Sequence, residues 1–404
     1  MTADRRTVPS APPLVLSADL WQRIARGTPD PGTLGLLRTA RTGRNLLLLR
    51  ALHEKLHGEP GWRAAVTLLA EVRRHSPALF GRHLADPAAG AVLAEAVRTA
   101  LPGSVPALAA VAGHRADLPF RLDAHAHGGG LVLPGLGRAR VGAGPATVRR
   151  ERGADATVVL APGARIEVPD PPGRPAPGWE PVPRIHLSTG GATLAVRLDP
   201  HALPHPGTGR HGPGEPDRWR GRLAAAWELL VTRHPERATA VGATVRAVAP
   251  LGAQAYAPGA RRPWRSASFS DAFGLVALAP QDDPAELAAA LVHETQHSLL
   301  YALQDLTRLL DAPPGARGRA PWSDRPRPPS ALLQGVCAFL VTAGFWRTEA
   351  ARGNRAATTP YERSLHIART AAGELARGDW LTAHGRLLLD AVHDVLAEWD
   401  GTDT

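Results

Sequence analysis

Ala285-Glu286-Leu287-Ala288-Ala289-Ala290-Leu291-Val292-His293-Glu294-Thr295-Gln296-His297-Ser298-Leu299-Leu300-Tyr301-Ala302-Leu303 reads as one buried helix. Alanine and leucine dominate, and no proline or glycine falls between 285 and 312. Asp282-Asp283-Pro284 supplies a cap and a first-turn proline. Histidines four apart on a helix stand one turn apart on the same face, so His293 and His297 can both reach one metal ion. Glu294 is offset from His293 by about 100°, close enough to act on whatever the ion holds. The apolar flanks Leu291, Val292, Leu299 and Leu300 place the turn in the interior. A buried histidine pair beside a glutamate is costly unless something satisfies it. The reading is a metal site with His293 and His297 as ligands and Glu294 as the catalytic group.

Working outward, residues 313–329 form a loop dense in arginine and proline. A second buried helix spans 330–347, and two more follow at 358–376 and 382–399. Upstream, 217–234 is an amphipathic helix with Trp219, Leu223, Ala226, Trp227, Leu230 and Val231 on one side. Residues 241–248 read as a strand or a short helix. Residues 266–278 read as a polar loop entering a strand that feeds the metal helix. At a sheet edge such a strand could hold extended substrate by backbone pairing, although core packing is the plainer expectation. Residues 118–200 are β-rich, with strands expected at 156–160, 165–168 and 192–198. His125-Ala126-His127 reads as a tail on a glycine loop rather than a strand-borne metal pair. Residues 200–214 form a linker whose His201, His205 and His211 face solvent. At the other end, 1–13 reads as a disordered leader, and Ser17 caps a first helix. Further helices are predicted at 32–55, 60–75 and 87–101. The histidines there (His53, His57, His75, His83) read as surface or core-satisfied groups.

The fold class expected is α+β and mainly helical. The predicted segments are a leader (1–13), an N-terminal helical region for packing or partner binding (14–117), a β-rich segment and linker (118–215), and a metal-binding catalytic region (216–404). The 404 residues suffice for two or three domains or one large body. Net charge is +10 and nearly all of it is arginine, Lys55 being the only lysine. The arginines are spread along the chain without aromatic interleaving, which argues against a nucleic-acid partner while leaving attraction to an acidic peptide open. Cys337 is the single cysteine, so no internal disulfide and no multi-thiolate zinc site can form. The N-terminus lacks the apolar core of a signal peptide, and no stretch reads as long enough for a membrane span. The setting expected is soluble and cytoplasmic.

Three motifs in order carry a family resemblance: Leu291-Val292-His293-Glu294-Thr295-Gln296-His297, the Trp322–Pro328 loop (Trp-x-Asp-x-Pro-Arg-Pro), and Leu332-Leu333-Gln334-Gly335-Val336-Cys337-Ala338-Phe339 with Phe345-Trp346-Arg347. The Leu133-Pro134-Gly135-Leu136-Gly137 turn and the Leu381-Thr382-x-x-Gly385 segment also fit. Together they resemble the HExxH-motif peptide-modification proteins, iron- and 2-oxoglutarate-dependent β-hydroxylases of ribosomally made peptide pathways. The resemblance implies Fe(II) on His293 and His297, with Glu294 either a ligand or an acid behind the ligands. It implies a precursor-peptide partner and a second modification enzyme nearby. Arg327 is the choice for gripping the 2-oxoglutarate carboxylate, because a guanidinium fork matches a carboxylate bidentately. The chain departs from the family pattern at three places. Ser323 stands where arginine is common, Arg325 where aspartate is common, and Phe339 where some relatives have histidine.

Two other functions stay open on the residues alone. A zinc peptidase would use the same histidines, with Glu294 activating water and a third protein ligand downstream. Glu349 and His366 are candidates for that ligand, but nothing in their spacing selects either. A non-catalytic protein with a degenerate site would recruit a peptide or a partner enzyme.

Overall fold

The computed structural model describes residues 14–153, 156–202, 214–252 and 266–402. The expected leader and most of the expected linker, including His205 and His211, lie outside the described residues. The chain is α+β and mainly helical, with 55% of residues in helix and 18% in strand.

Six helices come first: α1 (Ala18–Arg26), α2 (Pro31–Leu56), α3 (Pro60–His75), α4 (Pro77–Leu84), α5 (Pro87–Thr99) and α6 (Val105–Arg115). Nine strands follow: β1 (Phe120–Ala126), β2 (Leu131–Leu133), β3 (Gly137–Ala139), β4 (Gly144–Arg150), β5 (Thr157–Ala161), β6 (Ala164–Val168), β7 (Trp179–Pro181), β8 (Arg184–Thr189) and β9 (Ala192–Leu198). Then come α7 (Glu215–Arg233), α8 (Pro235–Thr244), β10 (Ala247–Pro250), β11 (Ser266–Ser268) and β12 (Leu275–Leu278). Four long helices close the chain: α9 (Pro284–Leu306), α10 (Pro329–Ala351), α11 (Thr358–Arg377) and α12 (Ala383–Thr402). Much of the proline content sits in first helical turns, as in α2, α3, α4, α5, α9 and α10. There the missing N–H costs nothing and the fixed φ favours the helix. This explains α4 and α6, which the sequence reading did not anticipate: Ser76-Pro77 and Val105-Pro106 are start signals for short helices.

Two antiparallel sheets, β1-β4-β5-β6 and β2-β3-β7, pack with α3–α6 around one core that includes Leu52, Trp62, Leu93, Val148 and Trp179. A five-stranded mixed sheet, ordered β11-β12-β10-β9-β8, packs with α7–α9 around Trp219, Trp227 and Leu291. A third core joins α1 and the start of α2 to α9–α12.

The cores therefore cut across the boundaries expected at 117/118 and 215/216. Leu20, Trp21, Ile24, Leu34 and Leu37 pack with the C-terminal helices, whereas Leu52 and Leu56 pack with the β-rich part. The cause is the length of α2, 26 residues or about 39 Å, which lets one helix serve two cores. Arg41 pins its middle to the end of α9 through Asp305 (2.8 Å). β8 and β9 likewise leave the β-rich segment, because β9 pairs in parallel with β10.

The 241–248 stretch divides into the end of α8 and the start of β10. β12 is an interior strand, buried throughout between β11 and β10; the edge position belongs to β11. Contrary to the expectation from sequence, α10 is long and apolar enough to cross a membrane by length and composition. Its apolar window is 83% buried inside the fold, as in the core helix of a soluble protein.

Candidate metal centre

α9 begins where Asp283 caps it, accepting from the Ala285 N–H at 2.8 Å, with Pro284 in the first turn. It is the central helix of the molecule, packed against α1, α2, α7, α8, α10, β11 and β12. Nearly every residue from 287 to 303 is buried, with His293, His297 and Tyr301 only half-buried. That spacing marks one stripe, with an edge open to solvent, on an otherwise enclosed helix.

α10 runs alongside and presents Gln334, Ala338 and Thr342, spaced four apart, toward this stripe. The Thr342 hydroxyl donates to the Ala338 carbonyl at 2.7 Å, so its lone pair accepts from the His293 Nδ1–H at 3.1 Å. The Gln334 Oε1 accepts from the His297 Nδ1–H at 2.7 Å, and its amide nitrogen reaches Gln304 Oε1 at 3.4 Å. Each Nδ1 is thereby occupied by its proton. A ring that carries its single proton on Nδ1 has a bare Nε2, and the two Nε2 atoms face each other at 3.2 Å. Two lone pairs at that distance repel unless a proton or a cation lies between them. Ligand nitrogens held about 2.1 Å from one ion, at angles between octahedral and tetrahedral, stand about 3.0–3.4 Å apart. Burial, then the neighbouring His297 ring, push the His293 imidazole down to about 4, against the opposing pull of Glu294. The donor set fits a cation.

Glu294 is 2% exposed and its Oε2 has no hydrogen-bond partner among the described residues. An orphaned buried carboxylate oxygen costs roughly 1–3 kcal/mol or more. Its field also helps raise the Tyr301 phenol, after burial as the main cause. The middle residues of the motif are structural: Gln296 points the other way and donates to the Ile24 carbonyl at 2.8 Å, tying α9 to α1.

Aromatic rings wall one side. Phe339 meets His293 edge-on with centroids 5.1 Å apart, and Trp322 lies 5.5 Å beyond Phe339. Trp322 reaches this position because Gly335 has no side chain; a Cβ there would sit 2.2 Å from the indole. Tyr301 stacks beside His297 at 6.5 Å. The three sequence motifs thus converge: the histidine helix, the tryptophan of the loop, and the Gln334–Phe339 run. The late Thr382-x-x-Gly385 segment does not join them. It closes the 308–310 turn, with the Thr382 hydroxyl on the Arg308 carbonyl and Gly385 against the Leu309 carbonyl.

Arg327 does not join them either. Its side chain is exposed, its backbone pairs with Gly318, and its guanidinium makes no hydrogen bond or ion pair among the described residues. Ser323 shapes a local turn, its hydroxyl donating to the Arg325 carbonyl and accepting from the Arg325 N–H. Glu349 is fully buried but taken up by Arg233 (2.7 Å) and His234 (3.0 Å). His366 lines a separate cavity between α11 and the 319–326 loop. Among the described residues no three histidine, cysteine, aspartate or glutamate side chains are grouped to hold a metal. Cys337 is buried and its thiol is pushed up to about 12, which keeps it an inert core group.

Sequence reasoning missed Gln334 and Thr342 as partners of the histidines. The available signal was two polar residues eight apart on a helix that is otherwise apolar. No family model matches the chain, and no curated protein matches it.

Proposed function

We propose that the chain is a peptide-modifying oxygenase in which His293 and His297 hold one iron ion. The observation that supports this best is the pair of bare Nε2 atoms at 3.2 Å, each set by a hydrogen bond on the opposite ring nitrogen. An iron ion held by His293 and His297 would, with 2-oxoglutarate and oxygen, supply the oxidising power to hydroxylate a substrate C–H bond, with succinate and carbon dioxide as co-products. Two protein ligands leave several coordination positions for a co-substrate. Thr342 and Gln334 fix the tautomers and directions of the two imidazoles. Phe339 and Trp322 exclude water from one flank. Glu294 is the acid nearest the pair in sequence; its buried oxygen lacks a partner, but it is not grouped with the two histidines as a third ligand among the described residues. Arg327 as the grip on the 2-oxoglutarate carboxylate rests on the family resemblance alone, because its exposed side chain stands apart from the cluster around the histidines. The substrate class is a ribosomally made precursor peptide, met in the cytoplasm beside a partner modification enzyme.

One observation favours the zinc peptidase as second reading. β11 is an antiparallel edge strand lying against α9, a place where an extended peptide can add by backbone pairing. The engagement of Glu349 and the displacement of His366 count against it, since a zinc hydrolase uses three protein ligands. Incubating the purified protein with Fe(II), 2-oxoglutarate and a precursor peptide encoded beside its gene, followed by mass spectrometry, separates the readings. A gain of one oxygen atom with succinate release is expected. Cleavage would favour the peptidase, and tight binding without either product would leave a recruiting protein.

A further inference from the structure

A cavity of about 760 Å³ opens between the end of α6, the β1-β4-β5-β6 sheet and the first residue of β8. His114 and Arg115 come from α6, Arg150 from β4 and Arg184 from β8. Several inward-facing arginines are bonded, although half-buried Arg237 makes no hydrogen bond or ion pair among the described residues. Arg197 grips Asp86 with both nitrogens (2.6 and 2.8 Å), and Arg41 holds Asp305. Half-buried Arg115 and exposed Arg184 line the cavity, and neither guanidinium makes a hydrogen bond or ion pair among the described residues. Asp86, the acid whose charge favours the Arg115 cation, is already committed to Arg197 and to capping α5 at Ala88. Both cations are disfavoured here, by burial first. Asp86 partly offsets this, and Arg197 adds to the penalty in each case. His114 spends its Nδ1 on the Thr157 hydroxyl at 3.0 Å.

The two unpaired guanidiniums share one concavity, and the Arg184 charge adds to the penalty on the Arg115 cation. The half-buried Arg115 guanidinium would gain from an anion that completes it, and exposed Arg184 lines the same cavity and can join in holding that anion. The acidic residues of the lining, Asp117, Glu167 and Asp170, are exposed at the rim, and Asp117 already pairs with Arg150. We infer that this cavity binds an anionic head group, a carboxylate or a phosphate, on Arg115 and Arg184, the rest of the ligand being neutral or cationic to suit the acidic rim. This site is independent of the centre on α9. The guanidinium fork offers paired N–H groups to either oxyanion.

The test is thermal denaturation of the full chain with inorganic phosphate, and separately with a short amidated peptide bearing one glutamate, each at ionic strength matched with sodium chloride. Saturable stabilisation by at least one probe is expected, the phosphate and peptide arms showing which oxyanion is preferred. Arg115→Gln and Arg184→Gln should each weaken the half-saturation concentration at least tenfold. Without ligand, Arg115→Gln should melt no lower than the parent protein, because the arginine has no partner to lose. Metal binding at α9 should be unaffected in both variants. No saturable stabilisation by either probe, equal affinity in the variants, or a marked loss of stability in ligand-free Arg115→Gln would overturn the inference; the last would make Arg115 a structural counter-ion of Asp86.

Discussion

Among the described residues two histidine pairs hold their ring centroids within 5 Å, and they differ in what stands behind them. His293 and His297 on α9 have ring centroids 4.8 Å apart; His125 and His127 at the end of β1 have theirs 4.7 Å apart. Ring spacing does not distinguish them. The helix pair is half-buried, and each ring is fixed by a hydrogen bond from Nδ1. The strand pair is exposed, and neither ring makes a hydrogen bond among the described residues. His125 falls within β1 and His127 bridges to Gly130, so the glycine-loop tail expected from sequence is partly strand. A ligand pair needs more than proximity: ordering two free imidazoles costs rotamer entropy that anchored rings have already lost.

The contrast can be broken most strongly at the ligands. His293→Ala should lower affinity for a divalent transition metal by about 100-fold or more, while the double change His125→Ala and His127→Ala should leave it within about twofold. Calorimetry with Co(II) reads both, and equal losses would erase the distinction. Next come the anchors. Thr342→Val and Gln334→Leu should each cost about 10- to 100-fold in metal affinity with little change in helix content by circular dichroism. Unchanged affinity would mean that the rings hold their direction without help. Phe339→His puts an imidazole where an aromatic ring already touches His293. It should tighten metal binding by about tenfold, since a third nitrogen would join the pair.

A smaller effect concerns a histidine buried for packing alone. Burial, then the Arg115 guanidinium, push His83 down to about 4. The unfolded chain takes up that proton near pH 6.5, so the neutral folded form is favoured fully above 6.5, and its contribution fades as pH falls toward 4. A depression of this size corresponds to about 3 kcal/mol. Urea melts of His83→Leu between pH 7 and 4 should show a shallower acid decline than the parent protein. An identical decline would remove His83 from the acid sensitivity.

The helix of the centre was legible because its signals are local: a cap, a proline, an apolar flank and two histidines one turn apart. The overall α+β class was legible for the same reason, each element carrying its own periodicity. The anchors were not, because Thr342 meets His293 across 49 residues and Gln334 meets His297 across 37, and no period links two helices. The cores do not follow the expected segments where one element serves two of them, as α2 does, or where β9 pairs with β10. Glu349 reads from sequence as a free acid; only the fold shows Arg233 and His234 against it.

Metal titration of the purified full-length protein under anaerobic, reducing conditions decides whether α9 carries a centre. One equivalent of Fe(II), or of Co(II) as its spectroscopic stand-in, should bind. X-ray absorption should show two imidazole nitrogens, and binding should vanish in His293→Ala and in His297→Ala. Absence of stoichiometric binding, or binding that survives both substitutions, would contradict it.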